Sequence, residues 1–335
     1  MKIQELLDEA RSRIAVTPEE LTEAKRRRTL VVDALTSEFG GRIYYNGSLA
    51  HGDANDPLTD FDIGVVVPDP DGEYGPGAKS AADFKERARR AIREALEEEF
   101  PDLRIEIDGR KRSVLIRFSD PVSDRSGDLT GDLIVALDHD KEGLLIPRYQ
   151  SWDRSHPEKH TELMLAANQA TSNVFARTIR LLKHWSDRHD NPLVSWHIKV
   201  LARDAIACIM PLVDALEAFF EGAHDALGEG DTPDPAGVGP DILTRVNRTH
   251  ARTRLQAALD NIKAAMQAEA DDKPLLAQAK LANVLPDIVD RPTDQDLADE
   301  DRAHEIARIR EAGNLAGVGA GAGVTIPNTR GWSHQ

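Results

Sequence analysis

The residues best suited to chemistry lie in the segment NGSLAHGDANDPLTDFDIGVVV, residues 46–67. Gly47 and Ser48 form a small-residue turn after a predicted strand, and backbone N–H groups after such a turn can bind phosphate oxygens. Asp60 and Asp62 begin a second predicted strand and share one of its faces, because they are two residues apart. Carboxylate pairs of this kind bind hard cations such as Mg²⁺. The segment therefore predicts a phosphate site beside a site for two metal ions.

The same spacing predicts which face of the second strand is buried. Apolar residues alternate with the two aspartates, so they point away from them into a core. The aspartates could instead be solvated residues at the entrance of the strand, because Asp-x-Asp is common in turns. The neighbouring Gly-Ser turn favours metal binding over this alternative. The predicted core residues are Phe61, Ile63, Val65 and Val67.

Asp132 is the candidate for a third carboxylate. It lies near the start of GDLIVALDHD, residues 131–140, where alternating apolar residues predict a strand. Asp138 shares a strand face with Asp132, because an even number of residues separates their positions. It lies at the far end of that strand, however, roughly 20 Å away at about 3.3 Å per residue. Taken alone, Asp132 could be a turn residue at a strand edge. Its order after the first carboxylate pair favours the catalytic interpretation.

Together these residues resemble the motif of the DNA polymerase β-like nucleotidyltransferase superfamily. That motif has a hydrophobic residue, Gly-Ser, a spacer of about ten residues, and Asp-x-Asp leading a hydrophobic strand. Many members carry Gly-Thr or Gly-Ser where this chain has Gly52-Asp53. The resemblance implies an α+β fold, with a mixed sheet and flanking helices as the catalytic core and an α-helical C-terminal domain. It also implies that Gly47, Ser48, Asp60, Asp62 and Asp132 form the active site.

Two helical segments further along the chain resemble the helical half of cyclic-oligonucleotide synthases, oligoadenylate synthetases and archaeal tRNA nucleotidyltransferases. In those enzymes a Lys before an aromatic residue and a downstream Ser contact the triphosphate, and Lys183 and Ser195 have these places here. Lys183 could instead be a solvated helix lysine, and Ser195 could be a helix N-cap. Residues 152–169 also look like the Trp…Pro…His…Asn passage of bacterial cyclic-oligonucleotide synthases. The two helical segments are RTIRLLKHW, residues 177–185, and PLVSWHIKVLA, residues 192–202.

The elements between these motifs indicate a mixed first half and a helical second half. Thr17, Pro18 and Glu20 predict the capped start of a helix that ends near Phe39. Beyond about residue 147 helical patterns dominate. Further helices are predicted at residues 81–100, 174–185, 211–221, 242–270 and 294–312, and strands at 103–107 and 113–118. The predicted domains are a catalytic domain with an N-terminal helix (1–150), a helical nucleotide-binding domain (151–312) and a flexible Gly/Ala-rich tail (313–335).

Size and charge favour small substrates over long polymers. The chain has 335 residues, of which 40% are hydrophobic, enough for a sizeable core. Its formal net charge of −16 would repel a long nucleic acid over most of the surface. The basic run at residues 25–28 could face phosphate or RNA. The alternative is a solvated helix face with i,i+4 pairs to the preceding glutamates.

The sequence also predicts a cytoplasmic protein. No apolar run approaches the roughly 20 residues needed to cross a bilayer, and the first residues show no hydrophobic signal-peptide region. Cys208 is the single cysteine and lies in the apolar run AIACIM. We expect a buried, inert thiol there, and no disulfide can form within the chain.

The resemblance implies a metal-dependent nucleotidyltransferase. Such an enzyme transfers NMP from an NTP to a hydroxyl, releases pyrophosphate and uses two Mg²⁺ or Mn²⁺ ions per site. The organisation of the chain over most of residues 15–220 is most similar to that of bacterial cyclic-oligonucleotide synthases, which implies ATP or another NTP as substrate, a cyclic or linear second messenger as product, and a role in antiviral defence. The acceptor could be a nucleotide, RNA (a tRNA end) or a small molecule, without a long nucleic acid or a membrane. Aromatic residues make up 5% of the chain, which does not favour RNA. A non-catalytic NTP-binding sensor is disfavoured, because all three carboxylates are present.

Overall fold

The structure is a computed structural model. It describes residues 1–69, 71–123, 127–139, 141–149 and 151–318, with side chains as far as residue 311. A mixed sheet of seven strands organises the first half of the chain. Its spatial order is β1-β2-β5-β4-β3, and β6 links β5 to β7. The strands are β1 (Arg42–Asn46), β2 (Asp60–Val66), β3 (Arg104–Glu106), β4 (Val114–Arg117), β5 (Thr130–Asp138), β6 (Leu144–Arg148) and β7 (Ser151–Ser155).

Eleven helices accompany this sheet within the described residues. Four of them belong to the first half of the chain, and the other seven follow the last strand. They are α1 (Ile3–Arg13), α2 (Pro18–Phe39), α3 (Gly47–His51), α4 (Ala81–Leu96), α5 (Pro157–Ala170), α6 (Val174–Arg188), α7 (Ser195–Ala205), α8 (Leu212–Glu229), α9 (Arg248–Ala270), α10 (Pro274–Val284) and α11 (Asp294–Val318).

The pairing of β2 with β5 is parallel, whereas the other pairs among these strands are antiparallel. In this register Asp62 lies opposite Asp132, and on the other side of β2 Asn46 lies opposite Asp62. The ends of three strands therefore meet at one point on the sheet. Partners in a sheet place their side chains on the same face, so Asp62 and Asp132 emerge together.

One hydrophobic core lies beneath the sheet and is covered by α2 and α4. The predicted alternation is confirmed, because the four predicted core residues, Phe61, Ile63, Val65 and Val67, are all buried in this core. The predicted start of α2 is also confirmed. Thr17 Oγ1 accepts a bond from the Glu20 N–H, and Glu20 Oε2 accepts one from the Thr17 N–H. The helix ends at Gly40 in a left-handed conformation.

The basic run at residues 25–28 of α2 was expected, in one of the two interpretations, to be a solvated helix face. The structure differs from that expectation at one of its residues. Arg27 is 1% exposed. Its guanidinium pairs with Glu23 and Asp120 and lies over the rings of Phe100 and Phe118. Tertiary packing thus buries one cation of a run that local charge pattern places in water.

A second core is formed by the helices of the C-terminal half. The first helix joins it, because Ile3, Leu6 and Leu7 are buried together with residues of α6, α8, α9 and α10. The chain therefore starts in the helical half, enters the sheet and returns. The domain division at residue 150 stays a prediction. None of the described helices is both long and apolar enough to span a membrane.

Several predicted boundaries and one side-chain environment were wrong. Helical patterns were expected to dominate beyond about residue 147, but Ser151–Ser155 is the strand β7, which pairs with β6 and extends the sheet. The helix predicted from residue 242 begins at Arg248, because residue 242 is bridged to Thr232 and Asn247 caps the helix. Cys208 is exposed, since α7 has ended and the thiol lies in a connection. The α11 helix continues past the predicted end at residue 312, and residues 319–335 of the predicted tail lie outside the described residues.

We predict that Gly64→Ala destabilises the sheet. Gly64 pairs with Tyr44 across β1 and β2, and an added Cβ would lie 1.9 Å from Tyr44 Cζ. Displacing this buried ring should lower the free energy of unfolding by about 1–3 kcal/mol or more, measured by urea denaturation. The control is Gly127→Ala, whose Cβ would meet no atom within 4 Å. Equal stability of the two variants would contradict the prediction.

Candidate active site

The structure brings the three predicted carboxylates together at one end of two parallel strands. Asp60 and Asp62 lie on β2, and Asp132 lies beside Asp62 on β5. Their side chains leave the sheet face opposite the core, because the adjacent residues Phe61, Ile63 and Leu133 are buried. Asp60 and Asp62 line a cleft of about 740 Å³ between the sheet and the helical half.

Burial and mutual repulsion raise the pKa values of this pair. Burial raises the pKa of Asp62 to about 7, and the charges of Asp60 and Asp132 add to the effect. The pKa of Asp60 is also raised, by burial first and by the charge of Asp132 second. Like charges in a partly buried site favour protons or cations. Carboxylate oxygens are ligands that Mg²⁺ and Mn²⁺ prefer, so the donor set suits a divalent cation.

An arginine binds the third carboxylate. Arg110, between β3 and β4, places its guanidinium 3.0 Å from Asp132 Oδ1, and its carbonyl oxygen accepts a bond from Lys85 Nζ at 2.8 Å. In this arrangement the described residues contain no group of three His, Cys, Asp or Glu side chains that could hold a metal ion. The Arg110 guanidinium therefore competes with a cation for Asp132 Oδ1. The sequence analysis did not identify this arginine.

Gly47 and Ser48 lie beside the carboxylates, where the cleft-lining helix α3 begins directly after β1. Gly47 has a φ of +73°, and a Cβ on it would lie 1.6 Å from Asp62 Oδ2. Only glycine lets the carboxylate come so close to the backbone. The predicted phosphate-binding turn and the predicted metal ligands thus touch each other.

Lys183 and Ser195 line the same cleft. The Lys183 side chain is 16% exposed, and its Nζ donates to the carbonyl oxygen of Asp53 at 3.0 Å, so a fully solvated helix lysine does not describe it. Ser195 is the first residue of α7, and Val194 is the N-cap. The N-cap alternative for Ser195 was therefore wrong, which leaves its exposed hydroxyl available to a ligand.

The sequence analysis missed a buried charge cluster behind the cleft. Lys199 Nζ lies 2.8 Å from Asp53 Oδ2 and 2.9 Å from His51 Nδ1, and His51 Nε2 lies 3.1 Å from Thr161 Oγ1. Burial and the Lys199 charge lower the pKa of His51 to about 3, so His51 is neutral. One signal was present in the sequence: Lys199 follows Ser195 by four residues, which puts both on one helix face.

The helical half also holds the backbone that follows α3. Three successive carbonyl oxygens accept side-chain hydrogen bonds: His51 from Asn168 at 2.7 Å, Gly52 from Arg180 at 2.9 Å, and Asp53 from Lys183. Asn168 is the Asn of the Trp…Pro…His…Asn passage. Helices α5 and α6 therefore fix the C-terminal end of α3, the helix whose first two residues form the candidate phosphate site.

The Gly/Pro-rich loop at residues 228–240 contributes to the wall of the cleft. Asp234 accepts bonds from the N–H groups of Val238 and Gly239, and it pairs with His160 Nε2 at 2.6 Å. The His160 ring lies 4.6 Å from that of Trp196, which lines the cleft. An aromatic face in this position can stack a nucleobase.

Comparisons with known proteins agree with this geometry. No family model and no curated protein matches the sequence. Among solved structures, CdnC from E. coli, determined with ATP, is similar at a TM-score of 0.65 and 17% identity over 87% of this chain and 99% of that one. The chain has the polymerase β-like nucleotidyltransferase fold.

Two further structures extend the similarity. CdnG from Bradyrhizobium diazoefficiens, in complex with GTP, gives a TM-score of 0.63 at 14% identity over 85% of this chain and 96% of that one. The Vibrio cholerae cyclic AMP-GMP synthase DncV gives 0.55 at 12% identity over 88% of each chain. At such identities the comparison establishes the nucleotidyltransferase fold. It confirms the α+β fold class and, at the level of the fold, the resemblance found in the sequence.

We predict that Gly47→Ala is more damaging than Gly52→Ala. Both glycines have a φ of +73°, but a Cβ at Gly52 would meet no atom within 4 Å. The backbone strain is therefore matched, and the difference reports the contact with Asp62. Gly47→Ala should lower the free energy of unfolding by about 1–3 kcal/mol more than Gly52→Ala does, measured by urea denaturation. Equal losses would show that Asp62 does not press on Gly47.

We also predict that Asp62 makes stability depend on pH. The pKa of Asp62 is about 7 in the folded chain and about 4 in an unfolded one. Between these values the folded state binds more protons, so stability falls as pH rises, by about 4 kcal/mol in total. Without divalent cations, Asp62→Asn should match the wild type near pH 4 and exceed it near pH 8 in urea denaturation. A difference that does not change with pH would refute this assignment.

Proposed function

We propose that the protein is a metal-dependent nucleotidyltransferase that transfers NMP from an NTP to a hydroxyl, releases pyrophosphate and makes a cyclic or linear oligonucleotide. The observation that carries this proposal is the convergence of Asp60, Asp62 and Asp132 beside the Gly47-Ser48 turn, in a cleft that also contains a lysine. Few other reactions require this combination of carboxylates, phosphate-binding backbone and ammonium.

The carboxylates have the role of cation ligands. Asp60 and Asp62 would hold the two Mg²⁺ or Mn²⁺ ions, and Asp132 would contribute a third carboxylate, for which Arg110 competes. Bound there, divalent cations neutralise charge on the attacked phosphate and on the leaving pyrophosphate. The raised pKa values of Asp60 and Asp62 support this role, because a nearby cation would offset the burial and the mutual repulsion that raise them.

The remaining cleft residues orient the nucleotide. Gly47 and Ser48 bind the β- and γ-phosphates, together with the Lys183 ammonium and the Ser195 hydroxyl. Trp196 offers a stacking surface for a base. In the transfer step a bond forms between the acceptor oxygen and the α-phosphorus, and the bond from that phosphorus to the β-phosphate oxygen breaks. The carboxylate cluster accepts the proton of the acceptor hydroxyl.

Neighbouring structures support a nucleotide acceptor. DncV is described as a cyclic AMP-GMP synthase, and an Elizabethkingia meningoseptica CdnE, at a TM-score of 0.55 and 17% identity, is described as a cyclic dinucleotide synthase. That similarity covers 76% of this chain and 97% of that one. Transfer to RNA or to a small molecule uses the same core and is the alternative. The cytoplasmic location and the role in antiviral defence stay predictions.

One observation favours a second candidate function. Arg110 pairs with Asp132, and the described residues contain no group of three His, Cys, Asp or Glu side chains placed to hold a metal ion. A protein in this state could bind an NTP without transferring it and act as a sensor. Catalysis by the wild type would exclude this reading.

The test is to incubate the purified protein with each labelled NTP, and with NTP pairs, in Mg²⁺ or Mn²⁺ and to resolve the products by mass. Asp60→Asn/Asp62→Asn should reduce product formation by about 100-fold or more, because cation binding is lost. Asp138→Asn is the matched control, since Asp138 lies on β5 with Asp132 but at the far end, paired with Arg42. It should retain activity.

Three outcomes are informative. An oligonucleotide that disappears in the double variant supports the proposal. Product formation only after RNA or a small molecule is added supports the alternative acceptor. NTP binding without any transfer, under all of these conditions, contradicts the proposed reaction and supports the sensor.

A further inference from the structure

The position after Gly52 presents an electrostatic problem for the proposed function. Asp53 is a carboxylate with no solvent exposure, at the end of the loop that carries the Gly47-Ser48 turn. A buried anion next to a phosphate site opposes the binding of a triphosphate, unless its charge is neutralised.

Two lysines flank this carboxylate at different distances. Lys199 Nζ lies 2.8 Å from Asp53 Oδ2, and Lys183 Nζ lies 3.6 Å from Asp53 Oδ1. The Lys199 side chain is 5% exposed, whereas that of Lys183 is 16% exposed. Lys199 is thus the inner and nearer counter-ion, and Lys183 is the one closer to solvent. Both line the cleft.

A relay of contacts fixes the Lys199 ammonium in place. Its second contact is His51 Nδ1, which must accept, because an ammonium can only donate. The other ring nitrogen of His51 then donates to Thr161 Oγ1, and that hydroxyl donates to the carbonyl oxygen of Tyr45 at 3.0 Å. Lys199 cannot swing into the cleft without breaking this chain.

We propose that Lys199 is a positioning residue for nucleotide binding: it neutralises Asp53 so that the Lys183 ammonium stays available to a triphosphate. This inference rests on the proposed function. Lys183 uses one donor on the carbonyl oxygen of Asp53 and keeps two for a ligand. If Lys199 were absent, the uncompensated Asp53 carboxylate would hold Lys183 more tightly and would repel the triphosphate.

A purely structural role for Lys199 makes a different prediction. Loss of a buried ion-pair partner would then loosen the cleft as a whole and weaken every ligand alike. If Lys199 instead acts by neutralising Asp53, its loss weakens the binding of ligands that carry phosphate charge and leaves the binding of uncharged ligands almost unchanged. Removing Asp53 as well should cancel this loss of affinity, and the loss should depend on the presence of Lys183.

The experiment measures affinity by calorimetry in constant Mg²⁺ for three probes: inorganic tripolyphosphate, the non-transferable analogue α,β-methylene ATP, and adenosine. Lys199→Met should weaken the first two by about tenfold or more and adenosine by less than about twofold. Asp53→Asn/Lys199→Met should bring tripolyphosphate affinity back to within about threefold of the wild type. The matched control is Lys263→Met, which removes an exposed lysine of α9 paired with Glu221. It should change none of the affinities.

A second cycle tests whether the effect passes through Lys183. Lys199→Met should weaken tripolyphosphate binding by at least about threefold less in the Lys183→Met background than in the wild type, because only the direct repulsion by Asp53 remains there. If Lys199→Met does not fold, Asp53→Asn alone replaces it. That change removes the anion while both lysines remain, so tripolyphosphate should bind about threefold tighter or better.

The outcomes separate this inference from the proposed function. A wild-type protein that binds neither tripolyphosphate nor the ATP analogue would overturn both. If the wild type binds them, the inference alone is overturned by any of three results. These are an unchanged affinity in Lys199→Met, an equal loss for adenosine, and a double variant as weak as Lys199→Met. Weaker or unchanged binding by Asp53→Asn would also overturn it.

Discussion

The parallel pairing of β2 with β5 is the constraint on which the rest of the site depends. It places Asp62 directly opposite Asp132 and so concentrates negative charge at one end of the sheet. A pKa of about 7 for Asp62 means that the ionised form is disfavoured by about 4 kcal/mol. The hydrophobic packing beneath the sheet must offset this unfavourable free energy. The site is therefore locally unfavourable for stability and suited to cations, as expected where function conflicts with stability.

The sheet alone does not complete the site. The loop after α3 is held by Asn168, Arg180 and Lys183, each from the helical half and each bound to the next carbonyl oxygen in turn. Backbone carbonyls are uncharged acceptors, so these bonds set the position of the loop without adding charge to it. The carboxylates and the phosphate-binding backbone are thereby fixed relative to the cations of α6 and α7, which come from more than 100 residues later in the chain.

The sequence was informative where the chemistry is local and much less so where it depends on distant contacts. The two-residue period places Asp60 and Asp62 opposite a buried face, and the capping box at Thr17 marks a helix start, because each feature spans only a few residues. No local pattern shows that Arg110 will bind Asp132. The exposure of Cys208 could not be read from the apolar run around it, since that run ends α7 and continues into a connection.

The charge of the cleft suggests why nucleotide and cation binding should be coupled. Its described lining contains four basic side chains, Arg112, Arg154, Lys183 and Lys199, against five aspartates, at positions 56, 60, 62, 187 and 234. The cleft is therefore close to neutral, in a protein of formal net charge −16. A triphosphate that entered alone would meet the two strand aspartates unscreened. A triphosphate that enters with divalent cations brings the charge those aspartates lack, so each ligand should increase the affinity for the other.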